Sequence, residues 1–161
     1  MYKLLLLVLM TSLFMSLYAL QTDEEVAMHA LFQGKHALND AVHAAAQMSD
    51  PDQLARGVHA IDEPRAQSAA MHYLQANLRL NGANDPLPGT FWRARVEVVL
   101  FKVVNHGEPF PYTYRNETYD YTVTLDRPGV IMCIRLAYPR TYAIMQPITW
   151  TVKSSAEMVF K

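Results

Sequence analysis

Residues 4–20 of this 161-residue chain carry no charge, and this run constrains the fold more than any other feature. Leu4-Leu5-Leu6-Leu7-Val8-Leu9-Met10 opens it, Lys3 precedes it, and Asp23, Glu24 and Glu25 follow it. At about 1.5 Å per residue, such a run approaches the roughly 30 Å of a bilayer's hydrocarbon core. One base before the run and acids after it predict a cytoplasmic N-terminus, with everything from about Asp23 onward on the far side.

A cleaved leader would need a small residue two positions before the cut. The best site ends at Ala19, where that position holds Leu17. The chain's one cysteine is Cys133, so lipid attachment after the run is not expected. Residues 22–48 contain no proline and one glycine, Gly34, among Ala, Leu, Met, Gln, Lys and Glu, which are good helix formers. A membrane helix running on into a soluble one suits a retained anchor better than a leader, which stays the alternative. The expected division is a transmembrane anchor over residues 1–21, an extended amphipathic helix over 22–49, and an extracytoplasmic α+β head over 50–161.

About 140 residues beyond the anchor are enough for one core. A net charge of −1 gives no basic footprint, so nucleic acid is not an expected partner. One cysteine cannot form an internal disulfide. Cys133 lies within Val130-Ile131-Met132-Cys133-Ile134, where it is expected to be buried and inert, a bridge between two copies being the alternative.

The head divides into helices followed by strands. Ala27, Leu31, Leu38, Val42 and Ala45 mark the apolar stripe of the first helix, which Ser49-Asp50-Pro51-Asp52 should end. A second helix opens at Asp62 with Pro64 in its first turn, carries Ala66, Ala70, Tyr73, Leu74 and Leu78 on one side, and should close at Asn81-Gly82. Residues 96–104 read as a central strand. Residues 119–125 alternate as a strand with one wet face, residues 130–138 form another up to a break at Pro139-Arg140, and residues 148–152 form the last, with Trp150 on its apolar side. Helices followed by strands predict an α+β fold with a small antiparallel sheet. The core is expected to close between these strands and the second helix, with the histidine-bearing first helix adding little to the head's stability.

Three groups of residues bear on function. His29, His36 and His43 recur every seven residues, within about 40° of one another on a helix and opposite the apolar stripe. A pH-sensitive stripe is one reading and a solvated face the other. Chelation within one helix is disfavoured, because ligands are wanted one turn apart and this spacing is about 10 Å. Tyr112, Tyr114 and Tyr119 sit in an aromatic-rich stretch that is either a contact surface or a set of rings partly covering the sheet. Asn116-Glu117-Thr118 matches a glycosylation acceptor triplet. No HExxH, GxSxG, phosphate-binding loop or GxGxxG occurs. No enzymatic activity, metal or cofactor is therefore expected.

Leu38-Asn39-Asp40-Ala41-Val42-His43-Ala44-Ala45-Ala46-Gln47, Tyr73-Leu74-Gln75-Ala76-Asn77-Leu78-Arg79-Leu80, Phe110-Pro111-Tyr112-Thr113-Tyr114, Arg127-Pro128-Gly129-Val130 and Tyr138-Pro139-Arg140 carry a resemblance. The chain resembles small single-span, pseudopilin-like proteins of Gram-positive bacteria from tight-adherence-type pilus and secretion clusters. The resemblance implies a role in an envelope-spanning filament or its base, with other pilin-like subunits, an assembly platform and a motor ATPase as partners. The chain departs from the pilin pattern in one respect. Only Met1-Tyr2-Lys3 precedes the apolar run, and no acid appears before Asp23. The expectation is a non-enzymatic, single-pass membrane protein, able to self-associate, that acts in a pilus-like or secretion assembly. The alternative is an anchored module that binds a wall polymer or small ligand through its aromatic loop.

Overall fold

The computed structural model describes residues 2–138, 140 and 147–160. Helix α1 (Tyr2–Ala46) runs unbroken for 45 residues, a length of about 68 Å at 1.5 Å per residue. Its N-terminal part is long and apolar enough to cross a membrane, and none of that part is buried. Two hydroxyls there bond back to the helix's own carbonyls, which serves a polar group in any apolar surrounding. Thr11 donates to the Leu7 carbonyl at 2.8 Å, and Ser16 to that of Ser12 at 2.9 Å.

Beyond residue 26 the same helix enters the core. Ala27, Ala30, Gly34, Ala37, Leu38, Ala41, Val42, Ala45 and Ala46 are all buried. These nearly all-small residues let α1 take a helix on one side and a sheet on the other. Short helix α2 (Pro51–Leu54) follows, with the Asp50 carboxylate accepting from the Asp52 and Gln53 amides. Helix α3 (Glu63–Leu78) starts where expected, Asp62 accepting from the Arg65 amide at 3.0 Å. It buries Ala66, Ala70, Leu74 and Leu78, at every fourth position, against α1. Tyr73, expected on that side, is exposed. The helix also stops before Asn81-Gly82: Arg79 turns left-handed (φ 54°), and the Leu80 amide reaches back to the Gln75 carbonyl at 2.8 Å.

Strand β1 (Glu97–Val104) is followed by a hairpin of β2 (Tyr112–Asn116) and β3 (Tyr121–Leu125), and then by β4 (Gly129–Tyr138) and β5 (Ile148–Glu157). β1, β4 and β5 form an antiparallel sheet in the order β1-β4-β5, and β2 pairs only with β3. The fold is α+β with a small antiparallel sheet, as expected. The central strand is β4, not residues 96–104. β1 lies at an edge yet has partial cover on both faces, so its apolar run resembles that of a strand with two neighbours. Tyr119 lies in the turn before β3, and residues 112–116 form a strand where a loop was read. The break expected at Pro139 lies outside the described residues.

The two faces of the sheet carry separate cores. Val130, Met132, Ile134, Leu136 and Tyr138 of β4 meet Leu38, Ala41 and Val42 of α1 and Leu74 of α3. On the other face, Ile131 and Val104 pack with Leu125 beneath the hairpin. α1 from Ala27 to Ala46 is therefore an internal member of the main core. Leu38, Ala41, Val42, Ala45 and Ala46 are fully buried, so the first helix is not peripheral to a head that begins at residue 50.

Candidate functional site

α1 passes beneath β4 and β5 and leaves a groove along the sheet edge formed by β5. The groove holds about 640 Å3, with Leu31, Phe32 and Lys35 of α1 on one side and the β5 residues Trp150, Thr151 and Lys153 on the other. Tyr121, at the start of β3, closes its far side.

Lys35 bends round the edge strand, and its ammonium donates to the Lys153 carbonyl. The Lys153 ammonium donates to the Asp120 carbonyl at 2.9 Å. Neither lysine belongs to an ion pair among the described residues. Burial lowers the Lys35 pKa from its ordinary value. Burial raises that of Tyr121, a hydrogen bond with Ser155 opposing it. The groove thus presents two ammonium groups held by carbonyls, the threonine hydroxyls of β5, and the aromatic surfaces of Phe32 and Trp150. This donor set suits an anion.

Cys133 lies opposite Lys153 in the β4–β5 register and is fully buried, as expected from its apolar run. Burial raises its thiol pKa, with Lys153 and then Lys35 opposing the shift. Cys133 is therefore expected to stay unmodified by a water-soluble disulfide reagent at neutral pH and to react fully once the chain is unfolded. Fast labelling of the native protein would contradict this. The sign for stability follows from the same direction. The unfolded thiol ionises first, so Cys133's contribution to folding is fully present below the unfolded pKa and is lost as pH rises from there through the higher folded pKa.

Tyr112 and Tyr114 come together on the inward face of β2, half-buried, on either side of Lys102. The Lys102 ammonium donates to the Tyr112 hydroxyl at 2.6 Å and lies 5.0 Å and 5.3 Å from the centres of the Tyr112 and Tyr114 rings. Tyr119 does not join them. It is half-buried in the turn, its amide donating to Asn116 Oδ1 at 3.2 Å. The Asn116 amide nitrogen donates to the Tyr114 hydroxyl at 3.0 Å, so the acceptor atom of the glycosylation triplet is engaged within the hairpin. His29, His36 and His43 are all exposed along α1. His43 borders a shallow depression with Asp40, Tyr73 and Asn77, where the Asn77 amide donates to Asp40 at 3.0 Å. No group of three metal-ligating side chains occurs among the described residues.

The sequence did not reveal the groove, because Lys35 and Lys153 meet across 118 positions. One local signal was readable: Phe32, a large aromatic next to the stripe residue Leu31, is 56% exposed. Asp23, one of the acids that follow the apolar run, is 4% exposed and accepts from the Tyr138 hydroxyl at 3.2 Å, because α1 carries it past the end of β4.

No protein-family model matches the chain, and no curated protein or solved structure is similar enough to count as a match.

Proposed function

We propose that this is a non-enzymatic, single-pass membrane protein that works as a pseudopilin-like component of a pilus-like or secretion assembly, with its N-terminus in the cytoplasm and its head outside. The observation that carries the reading is α1 itself: one unbroken helix is bare and apolar at its N-terminal end and an internal core element at the other. A head that needed only tethering would be served by a flexible linker. A continuous helix instead fixes the orientation of the head relative to its anchor, which is useful where subunits stack in register. Other pilin-like copies and a membrane platform are the partners of this reading.

Two experiments test it. Protease added to cells stripped of their wall should digest the head, and full protection would refute the topology. A photo-crosslinker placed in turn at Leu9, Leu13 and Leu17 in native membranes should capture a second copy or another membrane protein from one helical face. A chain that remains monomeric from every position would refute the assembly role.

A second reading, an anchored binding module, is favoured by the cationic groove along β5 rather than by the tyrosines of β2, which pack onto the sheet.

A further inference from the structure

We propose that the groove between α1 and the edge of β5 is a docking site for an extended, acidic segment of a partner polypeptide, which adds to the sheet as a strand beside β5. The inference does not depend on the assembly reading, since it concerns the edge and its charges alone.

Three observations carry it. β5 is the last strand of its sheet, and β4 occupies only one of its sides. The Lys153 carbonyl points away from β4, because Lys35 reaches it from α1. In an antiparallel strand the amide and carbonyl of a residue share one side, and alternate residues share it too. Thr151 and Thr149 therefore direct their main-chain groups outward with Lys153, along the groove. An edge of this kind is a template for another strand unless something blocks it. Here the block among the described residues is a lysine hooked onto one carbonyl, and no described strand pairs with Thr149 or Thr151 on that side.

The second observation is room with suitable walls. About 640 Å3 lined by Leu31, Phe32, Trp150 and Val152 can receive alternate side chains of an added strand, and strand addition draws its specificity from such pockets. The third is charge. Lys35 and Lys153 both line the groove, no acidic residue lines it, and neither lysine has a carboxylate partner among the described residues. A carboxylate on the incoming strand would satisfy both ammonium groups and draw Lys35 from the edge, lengthening the ladder. Lys35 then acts as a selectivity element: it rejects neutral strands by occupying the edge and admits acidic ones by pairing with them.

The test uses the full chain in lipid nanodiscs and a fluorescent hexapeptide of alternating valine and glutamate. Fluorescence anisotropy should report saturable binding that weakens as salt is raised. Replacing the glutamates by glutamine should reduce affinity at least 10-fold. A proline at the peptide's centre should do the same, because it removes ladder bonds while keeping the charge. Lys35→Ala should weaken the acidic peptide about 10-fold and leave the glutamine peptide bound as well as before or better. Lys153→Met repeats the charge test should Lys35→Ala fail to fold. No saturable binding, or acidic-peptide binding by both lysine variants as tight as by the parent protein, would overturn the proposal. So would displacement by the proline peptide or by polygalacturonate as effective as by the parent, since either would mean that charge alone, or an acidic sugar, is recognised.

Discussion

A chain that begins at residue 50 is expected to show no cooperative unfolding transition, whereas one that begins at residue 22 should unfold in a single step. The shorter chain lacks Leu38, Ala41, Val42, Ala45 and Ala46, each fully buried, and bares the faces of α3 and β4 that cover them. Leu38 and Val42 alone are worth about 1.5–3 kcal/mol each when buried. Leu74, Leu78, Met132 and Ile134 would lose the same cover. At that rate the six side chains together amount to about 9–18 kcal/mol, comparable to the whole of the roughly 5–15 kcal/mol that separates a folded domain from its unfolded chain. Circular dichroism against temperature on both chains decides the matter. A sharp transition in the shorter chain would mean that α1 is dispensable to the core.

Gly34→Ala should destabilise the protein although it lies inside a helix, where alanine is normally the better residue by about 1 kcal/mol. α1 packs against the sheet here with no space for a side chain. A methyl group at this position would lie 2.2 Å from Cδ1 of Leu136 and 3.9 Å from Cη2 of Trp92. Leu136 is fully buried and Trp92 nearly so, which leaves the leucine little room to withdraw. Overpacking of this kind costs about 1–3 kcal/mol and should outweigh the gain in propensity. Gly34→Leu should cost more. The diagnostic measurement is a double-mutant cycle with Leu136→Ala, which alone costs about 2–5 kcal/mol by leaving a cavity. The pair should cost clearly less than the sum of its parts, since the alanine methyl then enters vacated space. Strict additivity, or a Gly34→Ala variant that melts higher than the parent, would show that the helix and sheet can separate at no cost.

What could be read from the sequence was local. The uncharged run, the proline-free continuation, the Asp62 cap and the alternation in residues 119–125 depend on neighbours within a few positions, and each appears in the structure, the last as a strand that begins at Tyr121. Strand order did not follow, because β1 and β4 carry similar apolar runs and only pairing tells an edge from a centre. The role of α1 was underestimated for a related reason. Its stripe of leucine and valine accounts for one buried side, but Ala30, Gly34, Ala37 and Ala41 form a second that no hydropathy pattern flags, since small residues signal close approach only once a partner is present. The groove depended on two lysines far apart in the chain. The tyrosines were grouped by proximity in sequence, and the hairpin separates them: Tyr112 and Tyr114 lie on Lys102, and Tyr119 remains in the turn.

The unbroken α1 also makes the head's compass bearing a function of residue count. Each residue of an α-helix advances the chain about 1.5 Å and turns it about 100°. No hinge interrupts α1 between Leu20 and Ala27. One residue inserted there would swing the apolar segment's face about 100° around the axis relative to β5 and its groove, while moving the head along it by only about 1.5 Å. Seven inserted residues would lift it about 10 Å yet return the bearing to within roughly 20°. The head's distance from the apolar segment and its azimuth are thus set by one integer, and a neighbour that must meet both at a fixed angle tolerates some insertion lengths and rejects others.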